Sequence, residues 1–162
     1  MQDSIPFSKL SYFIKFPTAP DIGLSLAGFR FEETIKEMTT ELKDGKLAIY
    51  VKTRKEWRRW LQKNGQTEKS VWLILYRKNS DVPGVNIIDA TEEALCFGWI
   101  DSLCKKRDAE SYYLTFTPRK PRTSKWSKPN IERAERMIRK GLMTEAGQKT
   151  IDIAKDLKKW VA

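Results

Sequence analysis

The chain contains no histidine, and that absence removes a large part of enzyme chemistry. Ser-His-Asp triads, Cys-His dyads and most zinc sites all need an imidazole. Cysteine is nearly as scarce. Cys96 and Cys104 are too few for a disulfide framework and too far apart for a Cys-x-x-Cys metal or redox pair, so both are expected as reduced thiols. Cys96 lies between Leu95 and Phe97, an apolar setting that favours the protonated thiol, and no histidine is present to activate it as a nucleophile. No cofactor or metal is implied. No apolar run approaches the ~18–20 residues that span a bilayer, so membrane insertion is not expected. Asp3, Lys9 and Lys15 interrupt the first apolar clusters. That pattern lacks the charged head and unbroken apolar block of a secretory signal, and a cytoplasmic location is expected.

What is present is a globular composition with a cationic bias. With 162 residues, 40% hydrophobic and 32% charged, the chain is long enough for one domain with a real core. Lys and Arg number 31 against 21 Asp and Glu, a net charge of +10. Such an excess favours anionic partners, small or polymeric, and equally serves solubility. Its distribution says more. From Pro118 to Lys128 there are Arg119, Lys120, Arg122, Lys125 and Lys128 and no acid.

Taken in order, residues 1–37 carry Pro6, Pro17 and Pro20 and no sustained period, with a weak strand alternation at Ile22, Leu24 and Leu26. They read as an N-terminal extension to a domain over 38–162, and its removal is expected to leave the melting temperature nearly unchanged. A competing reading is a helix from Phe31 to Lys43, with Phe31, Ile35, Met38 and Leu42 on one face and Gly45 as its stop. Leu47, Ile49 and Val51 alternate as in a strand. Thr53 and Glu56 have the spacing of a capping box, which starts a helix to about Asn64 with Trp57, Trp60 and Leu61 on its inner face. Val71–Tyr76 is continuously apolar, as in a central strand covered on both faces.

Asp89 and Glu92 offer a second capping box for a helix over about 91–97, with Gly98 ending it in a left-handed conformation. Residues 99–107 and 112–117 read as a hairpin joined near Asp108–Ser111. Ser127 and Pro129 open a helix lined by Ile131, Ala134 and Ile138 and closed by Gly141. Thr144 starts the last one, with Ile153, Ala154, Leu157 and Trp160 on a stripe reaching the terminus. The expected fold is therefore α+β, a single domain with a small, largely antiparallel sheet packed by about four helices.

Two segments are similar to a known family: Glu93–Ser102, reading EALCFGWIDS, and Ser124–Asn130, reading SKWSKPN. With Arg54–Leu61, Val71–Lys78, Phe116–Lys120 and Gly141–Gly147, they cover about 46–160 in order. The chain resembles the bacterial YdeI or OmpD-associated family, the bacteriocin-protection proteins. The resemblance implies a role in protection against bacteriocins or envelope stress. It implies no reaction and no catalytic residues.

The residues themselves point to a basic, aromatic-walled anion site. Trp99 and Asp101 begin a strand just past a helix end. Asp101 is placed to orient an arginine such as Arg119, to act as a general base if burial raises its pKa, or simply to form a structural ion pair. Arg119, Lys120, Arg122 and Ser124 lie in a proline-punctuated loop, followed by Trp126 and a helix start at Ser127–Asn130. Arginine forks beside a helix start suit a phosphate or carboxylate. Trp126 either stacks on a ligand ring or plugs the core.

Three functions are compatible with these residues. One is a stress-protection protein that binds an anionic ligand or acidic partner. Another is a nucleic-acid-binding module, although no reader motif is present. The third is an enzyme acting on an anionic small molecule with Asp101 as acid or base.

Overall fold

The computed structural model describes residues 39–161, so the expectations for 1–37 lie outside the described part. Within it five strands and four helices form one α+β domain. The strands are β1 (Thr39–Lys43), β2 (Lys46–Tyr50), β3 (Val71–Tyr76), β4 (Trp99–Lys106) and β5 (Ser111–Pro118). The helices are α1 (Arg54–Asn64), α2 (Ile87–Cys96), α3 (Lys128–Arg139) and α4 (Glu145–Asp156). The sheet order is β1-β2-β3-β5-β4. Only β2 and β3 run parallel, linked by a crossover through α1; the remaining pairs are antiparallel.

The end of the chain segment read as a helix to Lys43 is instead β1. Asp44 and Gly45 both take positive φ, 52° and 71°, and bring Lys43 opposite Lys46. Two left-handed residues in succession make the tight turn whose twist suits a hairpin, and an Asp-Gly pair is its sequence signature.

β3 is central and covered on both faces, as its apolar run predicts. Val71, Leu73 and Leu75 join Ile49, Trp57, Trp60, Leu114 and Phe116 in the main core. Trp72 and Ile74 pack with Ala48 and Tyr113 on the other side. α1 starts where expected: the Thr53 hydroxyl accepts from Glu56 N, while Glu56 accepts from Lys52 N one residue before the usual partner. Trp57 and Trp60 stack 5.3 Å apart and fix α1 over the sheet.

α2 begins four residues earlier than the Asp89–Glu92 spacing suggests. Asn86 supplies the cap, its side chain accepting from Asp89 N, and so Ile87 and Ile88 occupy an exposed first turn. Gly98 does end the segment, at φ 73°. The β4–β5 hairpin forms as expected and carries a bulge between Asp101 and Cys104.

On α3 the inner face is Ile131, Ala134 and Met137, whereas Ile138 points outward. α4 is capped by Thr144 but stops at Asp156, short of the terminus, where Lys158 turns left-handed at φ 52°. Its buried residues are Gly147, Thr150, Ile151 and Ala154, while Leu157 is exposed. α4 approaches α2 closely: a Cβ at Gly147 would lie 2.3 Å from the Cys96 carbonyl oxygen.

Candidate functional site

The cationic loop leaves the sheet at Pro118, and its first residue turns inward. Arg119 N donates to Gly98 O at 2.8 Å, which ties the loop to the start of β4. The Arg119 side chain is only 6% exposed. Its guanidinium lies 3.8 Å from the Trp126 ring centroid, and Nη2 donates to Lys125 O at 2.8 Å. Nε and Nη1 are buried without a partner among the described residues. Burial pulls the Arg119 pKa down to about 10, and the nearby charge of Asp101 opposes this without making a direct ion pair.

Both tryptophans expected in an aromatic wall belong to the interior. Trp126 is 6% exposed, packs at 4.7 Å on Trp160, and joins Leu95, Ile131 and Ile151. Trp99 is buried and donates its indole N–H to Gly65 O at 2.8 Å. Neither ring faces solvent, because each has its partners inside the fold. What remains outside is charge: Lys120, Arg122, Lys125 and Lys128 are exposed and Ser124 is half-buried. Thr123 N and Ser124 N both donate to Lys120 O, and Arg122 O accepts from Lys159, so the loop is held by its own backbone and by the chain end.

Beside the loop lies a recess of about 310 Å³ between α2, β4 and the start of α3. Asp101, Ser127 and Asn130 line it together, with Thr91, Pro129, Arg133, Ile87 and Ile88. Three of the residues singled out in the sequence thus converge, whereas Trp99, Arg119, Lys120, Arg122, Ser124 and Trp126 do not line this recess. Sequence reasoning missed Arg133, although its place one turn after Asn130 was a signal: Arg133 Nη1 donates to Asn130 Oδ1 at 2.9 Å. Ser127 holds the N-cap position of α3, but its side chain makes no cap hydrogen bond.

The strongest electrostatic cluster was also missed. Glu92 and Glu93 on α2 are buried. Arg54 of α1 reaches Asp89, Glu92 and Glu93 at 2.6, 2.9 and 2.6 Å. Arg58 bonds Glu93 at 2.6 Å, and Arg136 of α3 bonds Glu92 at 2.5 Å. Arginines four apart on α1 facing adjacent acids on α2 were legible as a pattern, but the pairing needs the fold. A wider, open recess of about 640 Å³ is lined by Arg58, Gln62, Phe97 and Lys149. Its Arg58 is already committed to Glu93 and to Leu142 O.

Burial, then the charge of Glu93, pushes the Cys96 thiol up to about 11, which leaves it inert. Among the described residues no cluster of three His, Cys, Asp or Glu is placed to hold a metal, and no helix is long and apolar enough to cross a membrane.

Fold and site together define a small α+β domain with a cationic loop beside a charged recess. The chain belongs to a domain family of unknown function, DUF8412, whose model matches residues 49–150. That span runs from β2 into α4 and includes the recess and the loop. No curated protein and no solved structure matches the chain.

Proposed function

We propose that this protein acts by binding, engaging an acidic partner through the cationic loop, in the manner of a cytoplasmic stress-protection protein of the bacteriocin-protection kind. The observation that carries this reading is the division of labour within 119–128. Arg119 and Trp126 turn inward and anchor the segment, which leaves Lys120, Arg122, Lys125 and Lys128 outside with no acid among them. An exposed row of cations suits an extended acidic surface better than an enclosed small molecule.

The test is fluorescence anisotropy of a labelled oligoglutamate peptide and, separately, of a labelled DNA oligonucleotide at low salt. Binding to the acidic peptide is expected, weakening with salt as screening shortens the reach of exposed charges. The combined Lys120→Glu, Arg122→Glu, Lys125→Glu variant is expected to weaken it by at least about tenfold. Retention of DNA alone, with a steep salt slope, would transfer the loop to nucleic acid. Binding of neither probe overturns the reading.

A further inference from the structure

We propose that the recess between α2, β4 and α3 binds a small zwitterion bearing an apolar side chain, an amino acid or a short peptide. Asp101 would take the ammonium and Arg133 the carboxylate. The recess holds two opposite charges that make no direct ion pair among the described residues.

Asp101 is half-buried, yet its carboxylate has no hydrogen bond and no ion pair among the described residues. The other acids out of full exposure are all engaged. Glu41 accepts from Arg107, Glu56 from Lys52 N, Asp89 and Glu93 from Arg54, and Glu92 from Arg136. Arg133 is also without a carboxylate partner, a condition it shares among the non-exposed arginines with Arg119, whose guanidinium is covered by Trp126 instead. Arg54, Arg58, Arg107 and Arg136 each bond a carboxylate, whereas half-buried Arg133 bonds only the amide oxygen of Asn130. Asp101 and Arg133 line one recess without forming an ion pair with each other, which leaves both charges available to a molecule carrying the opposite pair.

The third component of the ligand follows from the rim. Ile87 and Ile88, 44% and 54% exposed, line the recess together with Pro129. Apolar side chains left in water beside a polar recess recover their hydration cost when a branched aliphatic group covers them. At about 310 Å³ the recess is at the small end of ligand sites, which suits one amino acid or two. The proposal does not depend on the acidic-partner reading, since the exposed loop cations do not line the recess.

The experiment is a titration of the isotopically labelled full chain by two-dimensional amide NMR. The probes are L-leucine, glycyl-leucine, N-acetyl-leucine and leucinamide, each to about 10 mM, where even a millimolar site fills. Saturable shifts centred on Thr91, Asn130 and Arg133 are expected for leucine or glycyl-leucine, and which of the two binds more tightly tells free amino acids from peptide ends. Blocking either the ammonium or the carboxylate is expected to weaken binding by about fivefold or more.

Asp101→Asn should weaken leucine but not N-acetyl-leucine. Because that change also removes the nearest charge to buried Arg119, a folding defect is a foreseeable outcome, and Arg133→Gln carries the same test from a residue bonded only to Asn130. Arg133→Gln should weaken leucine and leave leucinamide unaffected. The triple loop variant should keep leucine binding intact, which separates this site from the loop. Absence of saturation with every probe, or equal binding of the blocked and unblocked forms, overturns the proposal.

Discussion

Arg119 and Trp126 pack together at 3.8 Å and anchor the two ends of the cationic loop. The indole covers a guanidinium whose Nε and Nη1 already lack partners, so removing the ring both empties core volume and uncovers a badly solvated charge. Trp126→Ala is therefore expected to cost about 3–5 kcal/mol in urea unfolding. It is also expected to reduce affinity for the acidic peptide although no charge is changed. Trp126→Phe, which keeps a ring over the cation, should recover part of both. The sequence showed a tryptophan among lysines and left both readings open, because the deciding partner, Trp160, comes from the far end of the chain. Asp101 was legible as unusual by its position after Gly-Trp-Ile; that it lacks a partner was not, since pairing is a property of the assembled surface.

At the level of elements, caps with the same sequence appearance have different physical content. Thr144 accepts from Gly147 N and donates to Cys96 O at 2.5 Å, so it caps the start of α4 and joins it to α2. Ser127 occupies the equivalent position on α3 with no side-chain cap bond. Thr144→Ala is expected to lower stability by about 1–2 kcal/mol, and Ser127→Ala by less than about 0.5 kcal/mol, both read from denaturant midpoints. Equal losses would mean that Ser127 does cap its helix in solution.

Elements marked by strong periodicity or by an unambiguous stop were readable: α1, β3, the β4–β5 hairpin and the Gly98 turn. The misplacements have physical causes. Asn86 captured the start of α2 ahead of a weaker signal, and Met137 displaced Ile138 because the inner face of α3 follows a step of three residues. The β1–β2 turn was hidden by reading Gly45 as a helix stop when Asp44 and Gly45 together invert the chain.

Across the whole molecule, the Arg54, Arg58 and Arg136 contacts to Asp89, Glu92 and Glu93 fasten three helices to one another. Burial alone would raise the Glu92 carboxyl, but hydrogen bonds from Arg136 and Arg54 outweigh it and hold the pKa below its ordinary 4.5. A carboxyl depressed in the folded state contributes stability above pH ~4.5 and loses it as the pH falls through the folded value. Glu92→Gln is therefore expected to cost about 1–2 kcal/mol at neutral pH, because half-exposed Arg136 loses the carboxylate it bonds while Arg54 keeps Asp89 and Glu93. It is expected to show a flatter acid limb than the unsubstituted protein, the two curves converging once the pH has fallen through the lowered Glu92 value. An unchanged difference across the acid range would remove Glu92 from the account of acid stability.

The α+β class and the β4–β5 hairpin were legible from pattern alone, but the parallel β2–β3 pairing was not. It is set by how α1 folds back over the sheet, and no local spacing encodes that choice.

The irregularity in the outermost strand also bears on how this chain tolerates change in length. From Asp101 opposite Phe116 to Cys104 opposite Leu114, β4 takes three steps where β5 takes two, so one residue is spare. Deleting Leu103, whose side chain is 51% exposed, should mend the ladder and leave every flanking partner where it was. Deleting Ile100 instead would carry Trp99 across the sheet and out of the core. The hairpin thus holds a slack link, and a shortened relative should have lost its residue there.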